Sequence, residues 1–289
     1  YGSSAYADIN RRFAAFPFFG LSPAFKKVTG HSANELFTLA LQEAQAIEQS
    51  SEHLFGEPMQ GDRYLPSPTS IGLVGYIQSP YEGRALYRYS ADGSAEKLMD
   101  LSLDGGSCIS FATDTAVFSS LWADTSDPSS LALSAVSYSD LFLLNLSTLR
   151  AKRLTKAQRL VQPAISSDGS RIVASRVNGS FYDLVEVKTD TMEVITLASK
   201  ERVSFLEPVL NRDGSKLAYL ALESGNSSLY LHEEGKEPLL LVGPTADELR
   251  APSFEEDDSI LFVKELELYR INCATGRIQL VHTDSVGVY

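Results

Sequence analysis

Residues 163–176 read PAISSDGSRIVASR, and the whole chain is interpreted differently depending on whether this is one hairpin or one copy of a unit. Two further segments answer the question: PVLNRDGSKL from Pro208 and PSFEEDDSIL from Pro252, at spacings of 45 and 44 residues. Each copy has an apolar residue two after Pro (Ile165, Leu210, Phe254) and an Asp five after it (Asp168, Asp213, Asp257). An aliphatic residue follows four after each Asp (Ile172, Leu217, Leu261). Asp-Gly between strand-like runs signals a tight turn, because glycine accepts a positive φ and the Asp side chain bonds back to nearby amides. Asp258 replaces the glycine in the third copy, and Asp tolerates that region better than most residues.

The runs after the turns, SRIVASRV, SKLAYLAL and SILFVKEL, carry apolar residues on both faces; Ile172 and Ala174 alternate with Val173, and Leu217, Tyr219 and Ala221 with Ala218, Leu220 and Leu222. Such strands belong to sheets covered on both sides. A third run (181–187, 228–233, 267–273) and a fourth (193–198, 238–242, 277–282) complete each copy as a four-stranded antiparallel meander. Upstream, FATDTAVFSSLW keeps Asp114 and Phe118 in the same relation, and DLFLLNL and RAKRLT supply its outer strands. The distance from Asp114 to Asp168 is longer, 54 residues, because residues 123–139 read as a loop of small and polar residues. SIGLVGYIQS, ALYRYSA and EKLMDLS give three strands of an earlier unit. Five units therefore lie between Arg63 and His282. Units of this size and pattern make an all-β fold, a β-propeller, whose ring removes the end faces that a linear stack of sheets would expose.

The pattern P-x-I-S-x-D-G-x-x-I, with RLT at Arg153 to Thr155 before it, resembles the WD40-like Pro-Asp repeat of the TolB C-terminal propeller, a repeat also found in the propellers of prolyl oligopeptidase relatives. The resemblance is close over residues 151–282, weaker over 63–155 and absent over 1–62. It implies six blades, a non-catalytic protein- or peptide-binding role, and a periplasmic or otherwise extracytoplasmic location. A sixth blade would draw strands from residues 11–28 (RRFAAFPFF, AFKKVTG) or from sequence beyond Tyr289; otherwise the ring has five. The motif specifies the blade and not its ligand.

The expected division is an N-terminal segment, 1–62, and the propeller, 63–289. Ser32 and Glu35 form a capping-box pattern. Leu36, Phe37, Ala40, Leu41, Ala44 and Ile47 then recur at helical steps, so an amphipathic helix is expected over about 33–49, packed on the propeller or a small cap. Phe13, Phe16, Phe18 and Phe19 read as core. Because the chain begins at Tyr1 and not Met, it reads as having lost a leader or as starting inside a longer protein.

A chain of 289 residues with 44% hydrophobic content builds a sizeable core, and its net charge of −12 argues against nucleic acid and anionic membrane surfaces as partners. The longest apolar-looking stretch, 131–146, is broken by Ser134, Ser137, Ser139 and Asp140, so no membrane insertion is expected. Cys108 and Cys273 sit at unlike places in the repeat and read as buried thiols. Asn145, Asn178 and Asn226 begin N-x-Ser/Thr triplets, which matter only in a eukaryotic secretory protein.

Catalytic patterns are missing from the sequence. There is no G-x-S-x-G elbow, His31, His53, His232 and His282 are scattered, and no glycine-rich phosphate loop appears. EEDDS at Glu255 lacks the alternation of a calcium loop and reads as a solvated turn. No cofactor, metal or catalytic residue is expected, and Asp168, Asp213 and Asp257 repeat with the blade, as structural residues do. The leading expectation is a protein or peptide partner on the loop face, with residues 123–139 the segment of interest. Two alternatives stand: a carbohydrate-active or saccharide-binding propeller with paired carboxylates and an aromatic platform near its axis, or the substrate-gating propeller of a larger peptidase.

Overall fold

The computed structural model describes residues 3–15, 22–39, 42, 62–79, 83–92, 94–103, 109–123, 137–256 and 258–283. The chain divides into two compact units, Tyr1–Pro58 and Met59–Tyr289.

The second unit holds five four-stranded antiparallel sheets, each in simple sequential order. Blade 1 is β1 (Asp62–Thr69), β2 (Gly72–Ser79), β3 (Gly83–Tyr89) and β4 (Ala95–Asp100). Blade 2 is β5 (Ile109–Phe111), β6 (Thr115–Ala123), β7 (Ser137–Asn145) and β8 (Arg150–Arg153). Blade 3 is β9 (Leu160–Ile165), β10 (Ile172–Asn178), β11 (Phe181–Val187) and β12 (Val194–Ala198). Blade 4 is β13 (Val203–Leu210), β14 (Lys216–Glu223), β15 (Asn226–Glu233) and β16 (Leu239–Thr245). Blade 5 is β17 (Leu249–Glu256), β18 (Ser259–Lys264), β19 (Glu267–Asn272) and β20 (Ile278–Thr283). The propeller of four-stranded meanders expected from the repeat is the observed architecture.

Successive blades are joined by apolar layers, which is why their strands carry core residues on both faces. Val74, Tyr76 and Leu86 of blade 1 meet Ile109, Phe118 and Leu144 of blade 2. Val117 and Leu141 of blade 2 meet Ile172 and Val185 of blade 3. Val173 and Leu184 of blade 3 meet Phe205 and Tyr219 of blade 4. Leu220 and Leu229 of blade 4 meet Ile260 and Phe262 of blade 5. Ile77, Ala85 and Tyr87 form a separate cluster on the other face of blade 1. Among the described residues no cluster joins blade 5 to blade 1.

Each repeat proline sits in a β-bulge. Residue pairs Gln162–Pro163, Glu207–Pro208 and Ala251–Pro252 stand opposite the single residues Ala174, Tyr219 and Phe262, and Leu65–Pro66 likewise opposes Gly75. A bulge accommodates proline because its extra residue leaves the ladder where proline has no N–H to give. The residue before it takes a positive φ in the three repeat copies: 49° at Gln162, 48° at Glu207 and 48° at Ala251. At the Asp-Gly corners the blades are stitched by main-chain bonds. Ser70 N donates to Thr113 O (2.7 Å), Thr113 N to Ser167 O (2.9 Å) and Ser167 N to Arg212 O (3.1 Å). First strands thus meet first strands from blade to blade, which places β5, β9, β13 and β17 innermost.

The N-terminal unit corrects one expectation. The described residues of 11–28 are helical, not strands of a sixth blade: α1 spans Ser3–Ala15 and α2 spans Ser22–Thr29. The reason is local. Ser22 and Pro23 open α2 as cap and first-turn proline, and Gly30, at φ 83°, closes it with its N–H on Lys26 O at 3.0 Å. The expected capping box forms, with Ser32 N donating to Glu35 Oε2 (2.6 Å) and Glu35 N to Ser32 Oγ (3.2 Å). The helix behind it is described over 33–39; most of 40–49 lies outside the described residues.

Candidate functional site

The repeated features explain construction, so a site must lie where one blade departs from the others. The β10–β11, β14–β15 and β18–β19 hairpins each turn in two residues, and three residues separate β2 from β3. In blade 2 the same connection runs from Ala123 to Ser137. Residues 124–136 lie outside the described residues, but their flanks are described. Leu121, 57% exposed on β6, faces Ser139 across the hairpin, and the next β7 residue, Tyr138, has the Arg159 guanidinium 5.6 Å from its ring centre. A cation over an aromatic face at that distance is attractive.

The connection that leads to Arg159 is bonded to a buried acid as far as Gln158. Asp140, fully buried on β7, accepts Arg153 Nη2 (2.5 Å), Thr155 Oγ1 (3.0 Å), Ala157 N (3.0 Å) and Gln158 N (3.1 Å). Thr155 Oγ1 in turn accepts Leu141 N at 3.0 Å, and Ser139 Oγ donates to Leu160 O at 2.8 Å. The carboxylate therefore gathers the whole β8–β9 connection, and this explains the polar members of RLT: Arg153 and Thr155 both end on Asp140. The connection carries positive φ at Ala157 (55°) and Arg159 (57°). Non-glycine residues persist in that region only when their surroundings hold them. Leu121 on one face of the β6–β7 hairpin, and Tyr138 with Arg159 on the other, thus flank the connection from Ala123 to Ser137.

A second polar series runs along the inner strands. Glu207 N donates to Gln162 Oε1 (3.0 Å), and Ala251 N donates to Glu207 Oε2 (2.6 Å). Burial pushes the Glu207 carboxyl up from the ordinary range, and Glu248 adds to this; the Ala251 N–H and Arg250 oppose it. This inner-strand carboxyl spends one oxygen on the architecture.

The sequence candidates resolve as follows. Asp168 and Asp213 serve their turns, and Asp257 lies outside the described residues. Glu255, on β17, pairs with Arg270 of β19 through both its oxygens, at 2.5 and 2.6 Å. His31 lies in the N-terminal unit, His232 on β15 and His282 on β20, while His53 and Cys108 are outside the described residues. Among the described residues no group of His, Cys, Asp and Glu could hold a metal, and Cys273 is a buried free thiol. Asn145 caps its own turn, accepting Thr148 N at 2.8 Å, and Asn178 donates to Asp183. Sequence reading missed Tyr138, Asp140 and Arg159; the one available signal was an acid set inside the apolar run of β7.

No protein-family model matches the chain, and no curated protein sequence matches it. Solved structures do. TolB from Acinetobacter baumannii superposes with a TM-score of 0.60 at 17% identity, over 78% of this chain and 55% of that one. A putative TolB from Agrobacterium tumefaciens gives 0.56 at 16% identity, over 76% and 80%. The oligogalacturonate lyase of Vibrio parahaemolyticus gives 0.55 at 13% identity, over 79% and 68%. The fold is a TolB-like β-propeller. Its described residues form five blades, where the resemblance implied six, and this chain spans about half the length of the Acinetobacter protein. A TolB and a lyase on one scaffold show that the scaffold does not choose the chemistry.

Proposed function

We propose that the chain is a non-catalytic, extracytoplasmic propeller that binds a protein or peptide at the end of blade 2 that carries Leu121, Tyr138 and Arg159, where residues 124–136 connect β6 to β7. The observation that carries this reading is the departure of one hairpin from the two- and three-residue connections of the other blades. A packed blade needs only a short connection, so the extra length of 124–136, in the hairpin that carries an exposed leucine and an arginine stacked on tyrosine, is spent on something else. Aromatic and arginine side chains are also those that anchor protein interfaces. The TolB-like fold supports both the binding role and the location.

The test is selection of peptides from a random displayed library on the full chain, repeated on a variant with 124–136 replaced by Asn-Gly and on Arg159→Ala. Enriched peptides are expected to lose binding to both variants while thermal unfolding stays unchanged. Peptides that bind the shortened variant as well as the parent, or no enrichment at all, would overturn the reading.

A further inference from the structure

Asn178 is the one asparagine of the chain that a glycine follows, and the pair stands at the β10–β11 turn. β10 ends on Asn178, Gly179 and Ser180 make the turn, and all three residues are exposed. Gly179 takes φ 63°, as the first residue of a two-residue hairpin turn can, and nothing lies within 4 Å of where its Cβ would stand. Among the described residues its N–H has no hydrogen-bond partner. An exposed, unbonded main-chain nitrogen on a residue without a side chain is the least hindered nucleophile that a preceding carboxamide can meet.

The carboxamide also faces a buried acid. Asn178 Nδ2 donates to Asp183 Oδ1 at 3.3 Å and Oδ2 at 3.2 Å, and Arg176 Nη2 donates to the same carboxylate at 2.8 Å. Asp183 is only 4% exposed. Burial alone would raise its pKa, and hydrogen bonds from Arg176, Ser199 and Asn178 bring it below the ordinary range instead. A carboxylate at position 178 would exchange one of these donors for a like charge.

We propose that Asn178 is a self-modification site, converted through a cyclic imide with Gly179 to an aspartyl or isoaspartyl residue that loosens the β10–β11 hairpin. The Gly179 nitrogen bonds to Asn178 Cγ, the Cγ–Nδ2 bond breaks, and Nδ2 leaves as ammonia with the proton from Gly179 N. Water then adds to either imide carbonyl and reopens the ring, with nothing oxidised or reduced. Opening at the former main-chain carbonyl routes the backbone through the side chain, and the added methylene disturbs the Asn178–Phe181 pair. The neighbouring Val177 N–H donates to Arg159 O at 2.9 Å, so the change falls beside the connection that carries Arg159. The inference does not depend on what binds there.

The full chain is to be held at mildly alkaline pH and mapped over time by proteolysis and mass spectrometry. Conversion of amide to acid is expected at position 178 before Asn145, Asn226 and Asn272, with part of the product accepting a methyl group from an isoaspartyl methyltransferase. Asn178→Asp supplies the charge without the imide, and Asn178→Ala removes the donor alone. The first variant is expected to melt below the second at neutral pH, and the gap to close as pH falls through the carboxylate range and the new acid is protonated. An Asn178 amide that lasts as long as those of Asn145 and Asn226, or an Asn178→Asp variant that melts with or above Asn178→Ala at neutral pH, would overturn the proposal.

Discussion

Glu207 accepts the main-chain N–H of Ala251 on its Oε2 at 2.6 Å, one blade further on. Both residues precede a repeat proline, both carry a positive φ near 48°, and both are the extra residue of a bulge. A bulge residue leaves its own ladder, so its N–H must find another acceptor. The preceding blade supplies one: Gln162 for Glu207, then Glu207 for Ala251. Alanine has no side chain to pass on, and the series ends at blade 5.

The Glu207 link separates acceptor from charge. A carboxyl whose folded pKa is raised above its unfolded value near 4.5 stabilises the fold below that value and loses the contribution as pH rises through the folded pKa. Glu207→Gln keeps an oxygen for Ala251 N–H and removes the desolvated charge, so at neutral pH it is expected to equal or exceed the parent in stability. Glu207→Ala removes the acceptor and should cost about 1 kcal/mol. Thermal melts across this pH range decide; a Gln variant less stable than the Ala variant contradicts the account.

Asp140 is expected to be far less forgiving. Its carboxylate is fully buried and collects four donors, one of them the Arg153 guanidinium. Asp140→Asn places an N–H₂ among donors and leaves Arg153 without its charge partner, at a cost of roughly 3 kcal/mol. The damage should be local as well as global. Amide exchange in residues 155–159 is expected to accelerate more than exchange in blades 4 and 5, and uniform acceleration would mean that Asp140 does not hold this connection in particular.

The sequence shows those parts of the fold that depend on side-chain identity and hides those that depend on backbone direction. Pro163, Pro208 and Pro252, with the Asp of each corner, are visible because proline and Asp-Gly have few substitutes in a bulge and a tight turn. Blade 1 hid its copy by replacing Asp with Ile71, although Pro66 and Gly72 keep the six-residue spacing of Pro163 and Gly169. The bulge position itself is unreadable, since Gln162, Glu207 and Ala251 share a conformation and no chemistry. SPAFKKVTG at Ser22 carries helix start and stop signals in Ser22-Pro23 and Gly30, and its alternating apolar residues fit a strand as well. The candidate site is legible only by subtraction, as the excess length of 124–136.

Two glycines test whether conformation or space limits substitution. Gly225, in the β14–β15 turn, has φ 82° and nothing within 4 Å of an added Cβ. Gly225→Ala should therefore cost about 1 kcal/mol, the penalty of that backbone region alone. Gly243 has φ 100°, and its Cβ would stand 2.6 Å from Ser227 O and 3.0 Å from Ser228 Cα. Main-chain atoms of a paired strand cannot retreat cheaply, so Gly243→Ala is expected to cost roughly 3 kcal/mol. Denaturant titration of the two variants should place Gly243→Ala well below Gly225→Ala; equal midpoints would show that the β15–β16 pairing yields.

The Asp-Gly corners give the propeller an acid limit. Asp168 Oδ1 accepts Ser166 Oγ (2.6 Å), Ser170 N (3.0 Å) and Ser170 Oγ (2.8 Å), and these donors, the Ser166 hydroxyl foremost, pull its pKa down to about 2. Asp213 moves the same way through the Ser215 hydroxyl and N–H. A folded pKa below the unfolded 3.8 means that the stabilisation is complete above that pH and drains away as pH falls toward 2. Because Asp168 is exposed, solvent screens much of the effect, and the pH profile is more diagnostic than its size. Asp168→Ala with Asp213→Ala is expected to lower the melting temperature at neutral pH and to converge on the parent as pH approaches 2. Curves that stay parallel through that window would show that the carboxylates do not hold the corners, and that the serines and glycines suffice.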